Sequence, residues 1–265
     1  MNNRINALFE RKNKNILSVY YTAGFPTLES TVPIAKHLND AGADIIEIGI
    51  PFSDPVADGP TIQESNKIAL ENGMNLRLLI EQVKTIRKEK IDVPIILMGY
   101  LNPVMQYGVD KFLSDAAKVG VDGMILPDMP LHVFEDEFKS LFEAERLSNT
   151  FLISPTTSEE RIRQIDAVSH GFIYAVSASS ITGARGKFTD DQIQYFQRLQ
   201  RMKLKNPYLI GFGISNQETF SKASQYGAGA IVGSAFINLL KNSKDLEKDI
   251  RSFVSELKGS STNKH

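Results

Sequence analysis

The chain has 265 residues, of which 42% are hydrophobic and 23% charged, a balance typical of a soluble globular protein with room for a sizeable core. Its 30 basic and 31 acidic residues leave a net charge of −1, which argues against nucleic acid or an anionic membrane as a partner. The absence of cysteine excludes disulfides, thiolate nucleophiles and cysteine-bound metals.

The N-terminal residues mix apolar and polar side chains. Ile5, Leu8 and Phe9 recur at helical spacing, which predicts a short amphipathic helix ahead of the first strand. This pattern differs from a signal peptide, and no apolar run approaches the roughly 20 residues that span a bilayer. We therefore expect a cytoplasmic protein.

Eight short runs rich in valine, isoleucine and leucine recur along the rest of the chain. Runs with little polar alternation are typical of parallel strands that are covered by helices. The predicted strands are 16–22, 44–50, 94–99, 122–127, 150–154, 172–177, 208–213 and 229–233.

Segments of helical periodicity separate these runs. Gly42, Gly120 and Gly227 lie where helices should end, and we expect each of them to adopt a left-handed C-cap before the next strand. Two of the helical segments have a clear apolar stripe. The stripes are Leu76, Leu79, Val83 and Ile86, and Leu246, Ile250, Phe253 and Leu257.

No proline-rich or serine-rich linker divides the chain. We predict a single domain over residues 1–258, an α/β protein folded as a (β/α)8 barrel with an extra N-terminal helix. A polar tail at 259–265 is expected to be disordered. An open, doubly wound sheet built from the same units is the alternative.

Glu47 is the strongest candidate for a catalytic residue, because the reacting groups of a barrel lie towards the carboxyl ends of its strands. It lies between Ile46 and Ile48 in the second predicted strand. A buried carboxylate needs either a partner or a raised pKa, and a carboxyl group poised between its two forms suits general acid–base catalysis. The alternative is a structural glutamate hydrogen-bonded to a neighbouring strand.

The loop that follows, 51–60, is dense in proline and glycine and contains Asp54 and Asp58. Proline restricts the backbone, so the loop is expected to hold a defined shape. Asp58 could face the same pocket as Glu47, although a turn-rich loop with solvated aspartates explains the composition equally well.

Three glycine-containing segments, 182–186, 211–215 and 231–234, follow the sixth, seventh and eighth predicted strands or close them. In barrels, the ends of strands seven and eight commonly hold phosphate, which backbone N–H groups and a helix N-terminus bind. Each segment alone could equally be a tight turn. Together, the last two indicate a phosphate site that needs no lysine.

The sequence lacks the residues on which other barrel chemistries depend. No predicted strand ends in lysine, which disfavours a Schiff-base aldolase or a lysine-dependent indole-forming synthase. The four histidines, His37, His132, His170 and His265, do not join acidic residues at metal-ligand spacing. The remaining interpretation is metal-free carbon–carbon or carbon–oxygen chemistry, performed by carboxylates on a phosphorylated substrate.

The segment from Glu47 to Gln63, EIGIPFSDPVADGPTIQ, resembles the signature of the tryptophan synthase α subunit family. Similar segments follow in the expected order, at 127–128, 182–183, 211–213 and 233–234, so the resemblance covers nearly the whole chain. It implies a TIM barrel and a lyase of tryptophan biosynthesis that cleaves indole-3-glycerol phosphate to indole and glyceraldehyde 3-phosphate.

The resemblance also implies roles for individual residues. Glu47 would move a proton to indole C3 and off the glycerol hydroxyl, and Asp58 would hydrogen-bond the indole N–H. Thr182 would contact Asp58 when its loop closes, and Tyr174 would help to place Glu47. The implied pocket residues are Tyr20, Tyr100, Tyr174 and Phe212, and the implied phosphate-binding amides are those of Gly183, Gly213, Gly233 and Ser234.

Members of this family work with a β subunit that contains pyridoxal phosphate (PLP) and receives indole through a tunnel. The resemblance thus implies an α2β2 heterotetramer, with PLP in the partner and no cofactor or metal in this chain. Pro51, Asp54 and Asn102 match positions at the contact with that partner.

Two other functions share parts of the pattern. A phosphosugar isomerase would use the same phosphate site, but it has no need for Asp58 beside Glu47. A catalytically idle barrel that only activates a partner is the other alternative, and the presence of both acids argues against it.

Overall fold

Parallel strands form the centre of the fold. The computed structural model of the chain describes residues 3–177 and 187–259, and within these ranges there are nine strands. They are β1 (Ile16–Thr22), β2 (Ile45–Gly49), β3 (Ile95–Met98), β4 (Gly123–Ile125), β5 (Ser148–Thr150), β6 (Leu152–Ile153), β7 (Ile173–Val176), β8 (Tyr208–Gly211) and β9 (Gly229–Val232).

The strands form one sheet in the order β5-β4-β3-β2-β1-β9-β8-β7-β6. Its two end strands, β5 and β6, follow each other in the chain and are separated only by Phe151. The sheet therefore curves round to form a barrel, which confirms the predicted fold class over the open sheet.

The fifth predicted strand, 150–154, was wrong in its bounds, because this part of the barrel wall consists of two short strands. Among the described residues, β5 pairs only with β4 and β6 only with β7, so the chain meets its two neighbours at different heights. Such a stagger is expected in a closed barrel. Phe151 lies at the change of partner and packs against Phe134, with 5.1 Å between ring centroids.

Helices cover the outside of the barrel and confirm both predicted apolar stripes, whose side chains lie buried or half-buried in the main hydrophobic core. The Leu28–Ser30 segment is a 3-10 turn and Phe134–Phe138 a π-helical turn. The helices are α1 (Arg4–Arg11), α2 (Thr31–Ala41), α3 (Pro60–Glu71), α4 (Leu76–Lys88), α5 (Leu101–Tyr107), α6 (Val109–Lys118), α7 (Leu131–Val133), α8 (Lys139–Ala144), α9 (Glu159–Val168), α10 (Asp190–Met202), α11 (Gln217–Tyr226), α12 (Ser234–Asn242) and α13 (Leu246–Lys258).

The N-terminal helix α1 closes the end of the barrel where the strands begin. Ile5 and Leu8 are buried in the apolar cluster inside the barrel, together with Ile16 and Phe172. Asn3 caps the helix by accepting the backbone N–H groups of residues 5 and 6. The strands finish at the opposite end of the barrel, where the candidate residues lie.

Two of the three predicted glycine caps are confirmed. Gly42 and Gly120 have positive φ angles, 88° and 94°, at the ends of α2 and α6. The prediction was wrong for Gly227, which ends α11 with an extended backbone at φ −108°. Glycine fits there because a Cβ would lie 2.8 Å from the carbonyl oxygen of Tyr208, so close strand approach explains it.

None of the helices within the described ranges has the length and apolar character that crossing a membrane requires. Of the predicted polar tail, only Gly259 falls within those ranges.

Candidate active site

Glu47 lies on the inner face of the barrel wall. Side chains alternate along a strand, and Ile45 belongs to the apolar cluster inside the barrel. Ile46 and Ile48 instead pack in the cluster formed with the helices. Glu47 therefore points inward with Ile45, and its side chain is 0% exposed. An outward-facing glutamate would have excluded it from any pocket.

One hydrogen bond holds the Glu47 carboxyl group. Ser18 Oγ donates to Glu47 Oε1 at 2.6 Å, whereas Oε2 is buried and has no hydrogen-bond partner in the described structure. Burial raises the pKa of Glu47 from its ordinary value of 4.5 to about 7, and the bond from Ser18 partly offsets that rise. Near neutral pH the group can therefore both donate and accept a proton.

Asp58 lies in the loop between β2 and α3, where its carboxyl group is only partly exposed. Asn66 Nδ2 donates to Asp58 Oδ2 at 3.3 Å, and the Tyr100 hydroxyl also hydrogen-bonds this carboxylate. Tyr100 is itself tied to the loop, because it accepts the N–H of Ala57 at 3.1 Å. Burial raises the pKa of Asp58, and the bonds from Tyr100 and Asn66 oppose that shift.

Two buried tyrosines show that the two acids face one region. The pKa of Tyr20 is raised mainly by burial, with contributions from the charges of Asp58 and Glu47. The pKa of Tyr174 is raised in the same way, by burial and by Glu47 and Asp58. The charges of both acids therefore reach both tyrosine hydroxyl groups. The register of β1 and β2 also places Tyr20 opposite Glu47.

The rings of Tyr20 and Tyr174 lie against glycines of neighbouring strands. Tyr20 pairs with Glu47 in the register of β1 and β2, and its hydroxyl lies where a Cβ on Gly49 would be. Tyr174 covers Gly211 in the same manner. The ring of Phe212 meets that of Tyr174 edge-on, with centroids 6.3 Å apart. These rings make an apolar, aromatic wall beside the acids.

The ends of β8 and β9 form a second, polar part of the site. Phe212 and Gly213 both have positive φ angles, 67° and 75°, and Ser177 Oγ donates to the Phe212 carbonyl at 2.7 Å. After β9, Gly233 is the N-cap of α12, which begins at Ser234. The first N–H groups of a helix have no hydrogen-bond partner within the helix, so they can bind an anion.

The loop after β2 and the start of α5 form a surface next to these acids. Pro51 is buried, whereas Asp54 and Asn102 are exposed. Two apolar side chains in the same region project into solvent, with Val56 83% and Met105 59% exposed. A cavity of about 470 Å³ opens between this loop and α3, lined in part by Phe52, Asp54 and Lys67.

Two sequence-predicted residues, Thr182 and Gly183, lie outside the described residues. Conversely, the sequence reasoning missed Ser18 and Asn66, which hydrogen-bond the two acids. Ser18 could have been found as a polar residue within an apolar strand, the same signal that identified Glu47. Asn66 gives no such signal, because it is an ordinary polar residue of a helix. Among the described residues, no histidine, aspartate and glutamate side chains group to hold a metal ion.

The sequence matches the family model described as tryptophan synthase alpha chain over residues 7–263. It is 53% identical over 256 residues to the tryptophan synthase alpha chain of Flavobacterium psychrophilum, covering 96% of this chain and 99% of that one. It is 51% identical over 257 residues to that of Phocaeicola vulgatus, covering 97% and 99%.

Solved structures show the same relationship. The fold superimposes on tryptophan synthase subunit alpha from Legionella pneumophila with a TM-score of 0.88 at 34% identity, covering 98% of both chains. A structure of Mycobacterium tuberculosis tryptophan synthase gives a TM-score of 0.88 at 31% identity, again over 98% of both chains.

Proposed function

This chain belongs to the tryptophan synthase alpha chain family, lyases of tryptophan biosynthesis that cleave indole-3-glycerol phosphate, and from that relationship we propose that Glu47 and Asp58 perform the cleavage. The observation that carries the proposal is the inward, fully buried Glu47, whose pKa is about 7 and whose Oε2 atom has no hydrogen-bond partner in the described structure.

In the proposed reaction, protonated Glu47 first gives its proton to C3 of the indole ring. The ring thereby becomes an iminium cation, and the bond from C3 to the glycerol carbon can break with its electron pair returning to the ring. Glu47, now a carboxylate, removes the proton from the hydroxyl group on that carbon, which becomes the aldehyde. The products are indole and glyceraldehyde 3-phosphate, and Glu47 recovers its proton, so one residue serves as acid and then base.

Asp58 stabilises the charge that appears in between. When C3 takes up a proton, positive charge develops at the indole nitrogen, and a carboxylate that accepts the N–H hydrogen bond lowers the energy of this cation. The hydrogen bonds from Asn66 and Tyr100 favour the ionised form of Asp58, as this role requires. Asn66 and Tyr100 therefore support Asp58 as the electrostatic partner of Glu47.

The remaining contacts divide between the two parts of the substrate. Tyr20, Tyr100, Tyr174 and Phe212 enclose the indole ring, which suits the aromatic wall beside the acids. The N–H groups of Gly233 and Ser234, where α12 begins, bind the phosphate together with that of Gly213 after β8. We further propose, from the family resemblance alone, that Gly183 joins the phosphate site and that Thr182 contacts Asp58 when its loop closes.

The partner of this chain is proposed to be a tryptophan synthase β subunit, in an α2β2 heterotetramer. Pro51, Asp54 and Asn102 would lie at the contact, where Val56 and Met105 supply exposed apolar area. The partner would bind PLP and receive the indole. This chain would need no cofactor of its own, because the proposed cleavage uses only proton transfer and charge stabilisation.

Cleavage of indole-3-glycerol phosphate by the purified chain tests the proposal. Glu47→Gln should abolish turnover while leaving the affinity for a phosphate-containing substrate analogue within about twofold, because the amide keeps the shape but cannot move a proton. Asp58→Asn should lower turnover by about a hundredfold or more.

The matched control is Glu81→Gln, the same change at a side chain 66% exposed on α4, which should leave turnover unchanged. Loss of analogue binding together with activity in Glu47→Gln would show that Glu47 is structural. Wild-type turnover in either acid variant would refute the assignment.

A further inference from the structure

Ser18 has a buried hydroxyl group that is hydrogen-bonded to Glu47. It lies on β1, is 0% exposed, and donates to Glu47 Oε1 at 2.6 Å. In the register of β1 and β2 its Cα partner is Ile45, two residues before Glu47, so the bond runs diagonally between strands on the inner face. Leu17 and Val19 on either side pack towards the helices.

This contact divides the roles of the two carboxyl oxygens. Oε1 is occupied by a short hydrogen bond from a strand that cannot move independently of the barrel. Oε2 is buried and has no hydrogen-bond partner in the described structure. A carboxyl group on a flexible stem could otherwise rotate and exchange the two oxygens, and proton transfer depends on placing one of them within hydrogen-bond reach.

We propose that Ser18 is a positioning residue for the cleavage, holding Glu47 Oε1 against the barrel wall so that Oε2 is the atom that exchanges the proton with the substrate. This inference rests on the proposed role of Glu47 as the acid–base. Ser18 itself touches no reacting atom in this account; it acts only through Glu47.

The same bond adjusts how readily Glu47 ionises. An O–H that donates to a carboxylate stabilises the ionised form, so the bond from Ser18 lowers the pKa of Glu47 against the larger, opposite effect of burial. The other titratable groups that face it are Tyr20 on β1, Tyr174 on β7 and Asp58 in the loop after β2. None of these supplies a positive charge, so loss of the Ser18 hydroxyl leaves the carboxylate without its stabilising donor.

The test is the dependence of turnover on pH in Ser18→Ala, measured for indole-3-glycerol phosphate cleavage by the full chain. Because Glu47 enters the reaction protonated, turnover falls as the pH rises through its pKa. Ser18→Ala should move this fall upward by about one pH unit, which corresponds to about 1.4 kcal/mol. Its maximum turnover should drop about tenfold, with KM nearly unchanged, because the carboxyl group is less well held.

Two further variants separate positioning from packing. Ser18→Thr keeps the hydroxyl and suits a strand, so it should restore the wild-type pH profile. Ser148→Ala removes another hydroxyl, 0% exposed on β5, which accepts a hydrogen bond from Asn3 at 2.9 Å at the opposite end of the barrel. It should lower stability about as much as Ser18→Ala and leave the pH profile unmoved.

The outcomes distinguish this inference from the function on which it rests. If Ser18→Ala shows the wild-type pH profile and maximum turnover while Glu47→Gln is inactive, the positioning role is refuted and the acid–base role stands. If Glu47→Gln keeps wild-type turnover, the acid–base role itself fails. An upward shift in Ser18→Ala that Ser18→Thr reverses supports both.

Discussion

Replacing Glu47 with glutamine should change how the stability of the protein depends on pH. In the folded chain the pKa of Glu47 is raised from 4.5 to about 7 by burial, whereas in the unfolded chain it returns to its ordinary value. Between these values the folded state binds a proton that the unfolded state has released. Stability therefore falls as the pH rises through this window.

The size of the effect follows from the shift. Stabilisation attributable to protonated Glu47 is fully present below about pH 4.5 and is lost above about pH 7, and the complete loss amounts to about 3 kcal/mol. Between about pH 5.5 and about pH 8 the wild type should lose about 2 kcal/mol that Glu47→Gln does not lose. The amide cannot ionise, so every other titrating group contributes equally to both proteins.

Urea unfolding at the two pH values gives the free energy of unfolding for each protein. Glu81→Gln, exposed on α4, serves as the control and should keep the wild-type difference. Equal differences in the wild type and Glu47→Gln would mean that Glu47 ionises as easily in the folded chain as in water, so its pKa would not be raised by burial.

Three other changes test separate parts of the structure. Ser234→Asp should raise KM about tenfold or more, because the added negative charge repels the phosphate. The melting temperature should stay unchanged, because an acidic side chain is favourable at the start of α12. An unchanged KM would show that the phosphate binds elsewhere. Asp122→Asn should lower the free energy of unfolding by about 3 kcal/mol without changing turnover. The change removes the buried partner of half-buried Arg87, 2.7 Å away at the far end of the barrel. A loss below about 1 kcal/mol in urea unfolding would contradict this. Met105→Asp should weaken β-subunit binding about tenfold in calorimetry and leave cleavage by the isolated chain unchanged. Binding of wild-type strength would show that α5 is not part of the contact.

Most strand positions were predictable because parallel barrel strands are short apolar runs with distinct borders. The second strand was expected at 44–50 and lies at Ile45–Gly49. The direction of Glu47 was not predictable, because Ile45 and Ile46 look alike in sequence although one faces the inside and the other the helices. When both faces of a strand are buried, hydrophobic alternation no longer marks the inner side.

Contacts that depend on strand register were equally hidden. Ser18 meets Glu47 only because Ser18 pairs with Ile45 rather than with a neighbouring residue, and a slip of one residue would turn it towards the helices. The change of partner at Phe151 also arises from the stagger of the closed barrel, which no local pattern shows. Glu47 and Asp58 could be named as candidates from the sequence, whereas the hydrogen bonds that adjust their pKa values required coordinates.

The convergence of Glu47 and Asp58 on one indole ring is tested most directly by a crystal structure with a non-cleavable analogue of indole-3-glycerol phosphate. We expect Asp58 to accept the ring N–H at about 3 Å and Glu47 Oε2 to lie within about 3.5 Å of ring carbon C3. A bound ring with its N–H turned away from Asp58, or with Glu47 beyond reach of both C3 and the glycerol hydroxyl, would contradict it.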